Sequence, residues 1–349
     1  GLPVMEGKAL LFKYLGGVDA IPLSIGTSDA EDIIHFCKWI QPSFGGINLE
    51  DIEKPKCFYI LDRLQEELDI PVWHDDQQGT ATVVTSGLVN ALKVVGKNIR
   101  DVTLSMIGSG AANIAIADML MSAGVDSKKI VMVDSKGILN QHREDLKSDQ
   151  RKWEICLETN GEDRQGGAAE ALKSTDVCIA MSTSVPGTIK KEWVTSMQND
   201  AVVFACANPL PEIWPWDASE AGARIVATGR SDFPNQINNS LGFPGIFRGV
   251  LDVRAEKITN EMCLAAAFEL AKVAEDKGLS EEYIIPSMDE WEVFIREAVV
   301  VGMKAIDQGV ARVKRSKDEL RDISHRIIKR TRDMVQTLMK ESYIPPPPS

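Results

Sequence analysis

The chain has 349 residues, which on a scale of about 150 residues per domain suits two domains. With 44% hydrophobic and 26% charged residues it is neither wholly disordered nor collagen-like, and a formal net charge of −12 argues against a nucleic-acid binder. No run of about 18 apolar residues is present, so no helix is expected to span a membrane. The chain opens Gly-Leu-Pro-Val, with neither a basic region nor a small-residue cleavage site, so no secretory signal is expected. The six cysteines (Cys37, Cys57, Cys156, Cys178, Cys206 and Cys263) are scattered and include no Cys-x-x-Cys pair. That usage fits buried, reduced thiols and an intracellular, cytoplasmic protein.

The first expected element is an apolar helix carrying Leu10, Leu11 and Phe12. Strands are expected at 20–24, 46–49, 72–74, 102–107, 130–133, 177–180, 202–205 and 224–227. Helix-period segments lie between them at 30–40, 55–68, 79–95, 111–123, 167–172 and 217–221. Strands alternating with helices imply βαβ units and a parallel sheet. From residue 260 to about 339 the pattern is helical, with a break near Pro286. The expected parts are an N-terminal catalytic and metal-binding part at 1–77, a cofactor domain at 78–250 and completing helices at 251–340. A disordered proline tail follows at 341–349. The run 312–332 holds nine Lys or Arg but also three Asp or Glu at helical spacing. Mixed signs read as a solvated helix face rather than a nucleic-acid or membrane patch.

Chemistry concentrates at four places. From Val102 the sequence reads as a strand, then Gly108-Ser109-Gly110-Ala111-Ala112 and a helix, then a second strand ending in Asp134. The glycines let the backbone approach a pyrophosphate, and the N–H groups at the helix start meet its charge. Asp134 is placed to accept from an adenosine ribose. The third glycine place of such a turn holds Asn113, which is expected to loosen helix–strand packing. A plain glycine turn is the other reading, but the strand context and Asp134 favour dinucleotide binding. The fold class expected is α/β. It comprises a Rossmann-like doubly wound parallel sheet, a smaller α/β N-terminal part and a helical C-terminal part.

Two acidic pairs, Glu50-Asp51 and Asp75-Asp76, each follow a strand. Converging carboxylates suit a hard divalent cation, Mg²⁺ or Mn²⁺. Asp51 or Asp76 could instead cap the next helix, but capping explains only one acid at each place. His74 reads as structural. Lys8, beside Gly7, is a surface lysine by default. Held near a metal or a cationic nicotinamide, it would have a lowered pKa and serve as a general base. Asn208 and the pair Asn238-Asn239 lie in loops after the last two strands, where amides would meet a bound carboxylate. Asn is also a common turn residue.

The runs Leu-Pro-Val-Met-Glu-Gly-Lys8-Ala, Phe-Gly-Gly-Ile-Asn-Leu-Glu50-Asp51 and His-Asp75-Asp76-Gln-Gln-Gly-Thr resemble the malic enzyme family in its small-subunit bacterial and archaeal form. So do Ala-Thr-Gly-Arg-Ser-Asp-Phe-Pro-Asn-Gln-Ile-Asn-Asn and Phe-Pro-Gly-Ile-Phe-Arg-Gly, and the resemblance runs from residue 1 to about 315. It implies oxidative decarboxylation of malate to pyruvate with NAD or NADP and a divalent metal. It also implies Lys8 as the base at the C2 hydroxyl, with Asp75 beside it, and Glu50, Asp51 and Asp76 as metal ligands. Ser109 to Ala112 would wrap the pyrophosphate, and Asn208, Asn238 and Asn239 would orient substrate and nicotinamide. On cofactor choice, Asp134 would accept from a free ribose 2′-hydroxyl and leans the balance to NAD. Ser135 and Lys136 would suit a 2′-phosphate instead.

The sequence departs from the family pattern in three ways. Gln78 stands where many relatives have His, and the charged stretch 147–164, with Trp153, resembles an insertion. The family's enolate-protonating tyrosine and malate-binding arginine lie upstream of the lysine motif, and Tyr14 does not match that tyrosine. An N-terminally truncated chain is therefore expected, one that binds nucleotide and metal, oxidises malate poorly and tends to aggregate. The expected partners are malate or pyruvate and further copies of the chain, as a homodimer or higher homo-oligomer. Nucleic acid and membrane are not among them. The rival functions are an inactive cofactor-binding fragment and a metal-independent NAD(P)-dependent amino-acid dehydrogenase.

Overall fold

In the computed structural model, which describes residues 1–345, helix α1 (Leu2–Gly16) ends at Gly17, whose φ of 62° suits a residue without a Cβ. The end of the expected disordered tail, at 346–349, lies outside the described residues. Helix α2 (Ala30–Ile40) starts where the Asp29 carboxylate accepts from the N–H groups of Glu31 and Asp32. Strand β1 (Ile47–Leu49), helix α3 (Lys56–Glu67) and strand β2 (Val72–His74) form a small βαβ unit. Its strands pair in parallel, Ile47 opposite Val72 and Leu49 opposite His74. Ile33, Ile34, Ile60, Leu61 and Leu64 bury the helices against this sheet.

The strand expected at 20–24 does not form. Pro22 has no N–H to give to a ladder, and Ile21 and Leu23 remain 63% and 40% exposed.

After β2 the chain makes one wide π turn (Asp75–Gly79) and enters α4 (Thr80–Val94). There follow β3 (Leu104–Ile107), α5 (Ala111–Ser122), β4 (Ile130–Asp134) and β5 (Gly137–Ile138). Next come α6 (Gln150–Glu158), α7 (Ala168–Leu172), β6 (Val177–Ala180) and α8 (Lys191–Thr195). Strand β7 (Ala201–Ala205), helix α9 (Pro215–Glu220) and strand β8 (Ala223–Thr228) complete the second sheet. Its order is β5-β4-β3-β6-β7-β8, parallel except for β5. Alternate residues enter two cores, Leu104, Met106, Ile179 and Phe204 on one face and Ile107, Cys178, Ala180 and Val203 on the other. A sheet covered on both faces needs such continuous apolar strands. Connections leave β3 and β6 in opposite directions, and the crevice at their carboxyl ends is where ligands of such sheets lie.

Strand β5 and helix α8 were not expected, being too short to show a period. The stretch 147–164 contains α6, whose Ile155 and Cys156 are buried.

Helices α10 (Phe243–Asp252), α11 (Asn260–Lys277), α12 (Glu292–Asp307) and α13 (Lys317–Lys340) close the chain. α10 also went unexpected, because the preceding loop's glycines and prolines run into its first turn. It packs between α1 and α12, and the Phe12 ring meets Phe243 at 4.5 Å and Phe247 at 5.0 Å. Helix α13 opens with a reciprocal cap between Ser316 and Glu319. The basic run is not wholly solvated, since the Arg332 guanidinium lies 4.7 Å from the Tyr14 ring and 5.6 Å from Trp291. All six cysteines are buried and unpaired. No helix among the described residues is long and apolar enough to cross a membrane.

Candidate active site

Parallel register assembles the acids. Because Leu49 stands opposite His74, the residues that follow, Glu50-Asp51 and Asp75-Asp76, leave neighbouring strand ends side by side. One carboxylate oxygen from each of Glu50, Asp51 and Asp76 lies within 4.8 Å of the others. Asp51 adopts the left-handed conformation at φ 56°, and its N–H donates to Asp76 Oδ2 at 3.0 Å. The capping alternative fails for both acids. Helix α3 follows Pro55 as its N-cap, with no side-chain cap, and Asp76 lies inside the π turn.

Asp75 is fully buried. Its Oδ1 accepts from Trp73 Nε1 at 3.0 Å, and its Oδ2 accepts from Lys8 Nζ. Lys8 also lies 3.2 Å from Glu50 Oε1, and 4.8 Å from the centre of the Phe243 ring. Burial by itself would lower the Lys8 pKa, but Asp75 and Glu50 outweigh it and hold it above the ordinary value. One ammonium cannot neutralise three crowded acids. Burial, with Asp75 and Asp76 nearby, pushes Glu50 up to about 8 against the pull of Lys8. His74 is buried, with burial lowering its pKa, and its ring stays 3.8 Å from Asp76. Gln78 Oε1 accepts from the His74 N–H at 3.1 Å.

A cavity of about 570 Å³ opens beside this cluster, lined among others by Met5, Lys8, Phe12, Asn48, Glu50 and Asp51. The tyrosines lie elsewhere. Tyr59 bonds Glu31, Tyr283 bonds Glu290, Tyr14 faces Arg332 and Tyr343 is 78% exposed.

The glycine turn sits at the end of β3. Gly108 has a φ of 103°, and a Cβ there would lie 2.4 Å from the Met181 carbonyl oxygen. Gly110 caps α5 without a side-chain partner, and a Cβ on it would meet nothing within 4 Å. The first N–H groups of α5, among them those of Ala111 and Ala112, have no side-chain cap, and an uncapped helix start of this kind suits a phosphate. Asn113 does not loosen the turn. Its Nδ2 donates to the carbonyls of Ile107 and Gly108 at 3.0 and 2.9 Å, which staples the helix to the strand end.

Asp134 is at the expected strand end, but its carboxylate is already engaged. Arg143 holds both oxygens, at 2.7 and 2.9 Å, and Lys152 lies 3.2 Å from one of them. Lys136 turns to Asp145 at 2.9 Å. The sequence offered no sign of Arg143, since no fixed spacing links it to Asp134, and Lys152 was hidden in the charged stretch.

Asn208 packs against Gly229, where a Cβ would lie 2.8 Å from the Asn208 amide. The Asn238 side chain caps the turn at Ser240, its Oδ1 accepting at 3.0 Å. Asn239 lies against Gly79, where a Cβ would be 3.2 Å from the Asn239 Cβ. The structure thus brings Lys8, Glu50, Asp51, Asp75, Asp76 and Asn239 together. Trp73, Gly79 and Phe243, which hold this cluster, were missed because each reads as ordinary core or turn.

The family model described as "Malic enzyme, NAD binding domain" matches residues 77–306. The chain is 46% identical over 326 residues to the bifunctional malic/malolactic enzyme of Bacillus subtilis, covering 93% of this chain and 78% of that protein. It is 49% identical over 311 residues to the NAD-dependent malic enzyme of Geobacillus stearothermophilus, covering 89% of this chain but 64% of that protein. The crystal structure of Entamoeba histolytica malic enzyme superposes with a TM-score of 0.97 at 51% identity, over 100% of this chain and 74% of that one. The α/β sheet with its nicotinamide-cofactor domain is shared with these proteins, and the chain belongs to the malic enzyme family.

Proposed function

We propose that the chain oxidises malate at C2 with a nicotinamide dinucleotide and decarboxylates the product to pyruvate, with a divalent cation held by Glu50, Asp51 and Asp76. The observation that carries this reading is the meeting of Lys8 with Asp75 and Glu50 at the edge of the three-carboxylate cluster. An all-oxygen donor set fits Mg²⁺ or Mn²⁺. Burial, with Asp75 and Asp76 beside it, pushes Glu50 up to about 8, and a dipositive ion there would favour its charged form. A bound cation supplies a Lewis acid for the C2 oxygen.

The chain's own residues supply the rest. Asp75, pinned by Trp73, orients the Lys8 amine toward the cluster. Burial favours the neutral amine, and the charges of Asp75 and Glu50 oppose it. Once the Glu50 charge is drawn away, burial prevails more easily and Lys8 can take the hydroxyl proton. The N–H groups at the start of α5 bind the dinucleotide phosphates, and the amides of Asn208 and Asn239 orient the reacting groups.

An amino-acid dehydrogenase would need no such acid cluster. The test gives the purified chain malate, Mn²⁺ and either dinucleotide, and follows reduced-nicotinamide fluorescence and pyruvate. Malate- and Mn²⁺-dependent reduction that falls about 10²–10⁴-fold in Lys8→Met is expected. Reduction that persists in a chelator would overturn the role given to the acids. Dinucleotide binding with no malate-dependent reduction would favour the cofactor-binding fragment.

A further inference from the structure

Glu212 is an acid that the chemistry above leaves unused. It lies on the loop between β7 and α9 and is fully buried. Its Oε1 accepts from the Ser182 N–H at 2.7 Å and the Ser182 hydroxyl at 3.2 Å, and its Oε2 accepts from the Ala207 N–H at 3.1 Å. The main-chain carbonyl of Glu212 accepts from the N–H groups of Gly187 and Ile189 at 2.9 and 3.1 Å. One residue therefore ties the loop after β6 to the loop after β7 at the carboxyl ends of both strands, the edge where ligands of such sheets lie. Burial pushes its pKa up, and the Ser182 and Ala207 donors pull against that. An ionised carboxylate accepts at both oxygens, so it satisfies all three donors at once.

Both anchor points border the proposed cofactor site. Ser182 follows Met181, whose carbonyl oxygen closes on Gly108 of the glycine turn. Ala207 precedes Asn208, and on the other side of Asn208 the Pro209 carbonyl accepts from Arg230 Nη1 at 2.8 Å. Arg230 in turn donates to both oxygens of Asp232, at 2.8 and 2.7 Å. Asn208 itself is exposed, with Gly229 against its amide. An exposed side chain takes its direction from its backbone, and this backbone is pinned on one side by Glu212 and on the other by Arg230. The Arg230–Asp232 pair is open to water, with Asp232 54% exposed, whereas Glu212 is shielded and its hydrogen bonds hold more firmly.

Resting on the dinucleotide reading above, we infer that Glu212 is a positioning residue for the oxidation: by holding the Ala207 N–H it sets the Asn208 amide against the nicotinamide. It touches neither cofactor nor substrate and acts through Asn208. Glu212→Gln separates this role from packing, because the two side chains have the same shape. The Gln oxygen would keep the two Ser182 donors, and its NH₂ group would then confront the Ala207 N–H, donor against donor. The glycine-turn side of the site stays held while the Asn208 side is released.

The test titrates the whole chain with a reduced dinucleotide (NADH or NADPH) and with the matching ADP-ribose or 2′-phospho-ADP-ribose, which lacks the nicotinamide. The proteins are wild type, Glu212→Gln, Asn208→Ala and the double variant. Wild type should bind the dinucleotide more tightly than its ADP-ribose. Glu212→Gln should weaken the dinucleotide about 10-fold, the equivalent of roughly one hydrogen bond, and shift its nicotinamide emission. Affinity for the ADP-ribose should change by less than about 3-fold, because no contact on the glycine-turn side is lost. In the Asn208→Ala background Glu212→Gln should cause no further loss, since residues acting through one another are not additive. Additive losses, equal weakening of both ligands in Glu212→Gln, unchanged dinucleotide affinity there, or a wild type that gains nothing from the nicotinamide would each overturn the inference while leaving the dinucleotide reading in place. A wild type that binds neither ligand would overturn both.

Discussion

Gly79 faces Asp75 so closely that a Cβ on Gly79 would lie 2.0 Å from Asp75 Oδ1. The carboxylate has nowhere to retreat, because Trp73 holds that oxygen, Lys8 holds the other, and the group is fully buried. Gly79→Ala should therefore displace Asp75 and with it Lys8. Overpacking of this kind costs about 1–3 kcal/mol. The expected result is a lower unfolding midpoint and a fall in turnover far exceeding the loss in dinucleotide affinity. Normal activity in Gly79→Ala would mean that the Asp75–Lys8 geometry is not needed.

Removal and addition of metal test the acid cluster directly. A cation that binds only the folded state adds about 2.7 kcal/mol at a hundredfold excess over its Kd. Mn²⁺ should thus raise the thermal midpoint of the wild type, and a chelator should reverse it. Asp76→Asn and Glu50→Gln should each abolish most of the gain. Equal Mn²⁺ stabilisation of all three proteins would sink the assignment.

Asn113 replaces the third glycine of the turn with two hydrogen bonds, to Ile107 and Gly108. Asn113→Gly, which restores the commoner pattern, should destabilise the chain. Two neutral hydrogen bonds and a helix glycine together amount to about 2–3 kcal/mol. Chemical denaturation would measure it, and a stabilised Asn113→Gly would contradict the stapling role.

At the start of β6, Asp176 joins the sheet to the α4–β3 connection. It accepts from the Thr103 N–H at 2.9 Å, the Thr103 hydroxyl at 2.8 Å and Lys97 at 2.8 Å. Burial acts to raise its pKa, but these donors prevail and hold it below the ordinary carboxylate range. A depressed folded-state pKa adds stability above the unfolded value, near 3.9, and that contribution disappears as pH falls through the folded value. Asp176→Asn should therefore be less stable than wild type at neutral pH, with the gap narrowing below about pH 4. Denaturation series at several pH values would show it, and a gap independent of pH would refute the charge-based account.

The expected tendency of the chain to associate would arise at exposed apolar side chains. Leu10 is 67% exposed and Ile21 63%, whereas Phe12 on the same helix as Leu10 is buried against Phe243 and Phe247. Leu10→Lys with Ile21→Lys should raise solubility without lowering the unfolding midpoint, as light scattering and thermal melts would report.

Periodicity, glycine placement and acidic pairs made the parallel sheet, the glycine turn and the acids after β1 and β2 legible in the sequence. Those features are local, each set by residues within one element and its cap, so short-range chemistry was enough to read them. Lys8 and the acids were visible as residue types, but their meeting depends on packing of α1 across α10 and on the register of β1 with β2. Asp134 shows the limit most clearly. Its position at a strand end was readable, while its pairing with Arg143 and Lys152 depends on how the chain between β4 and β6 folds back. Pro22 made the opposite point, since an apolar run at 20–24 becomes a strand only if a neighbour can take its hydrogen bonds. Sequence determined which groups this protein carries and which elements they end. Tertiary structure alone decided which charges share a partner, because an ion pair or a buried carboxylate depends on distances between segments far apart in the chain.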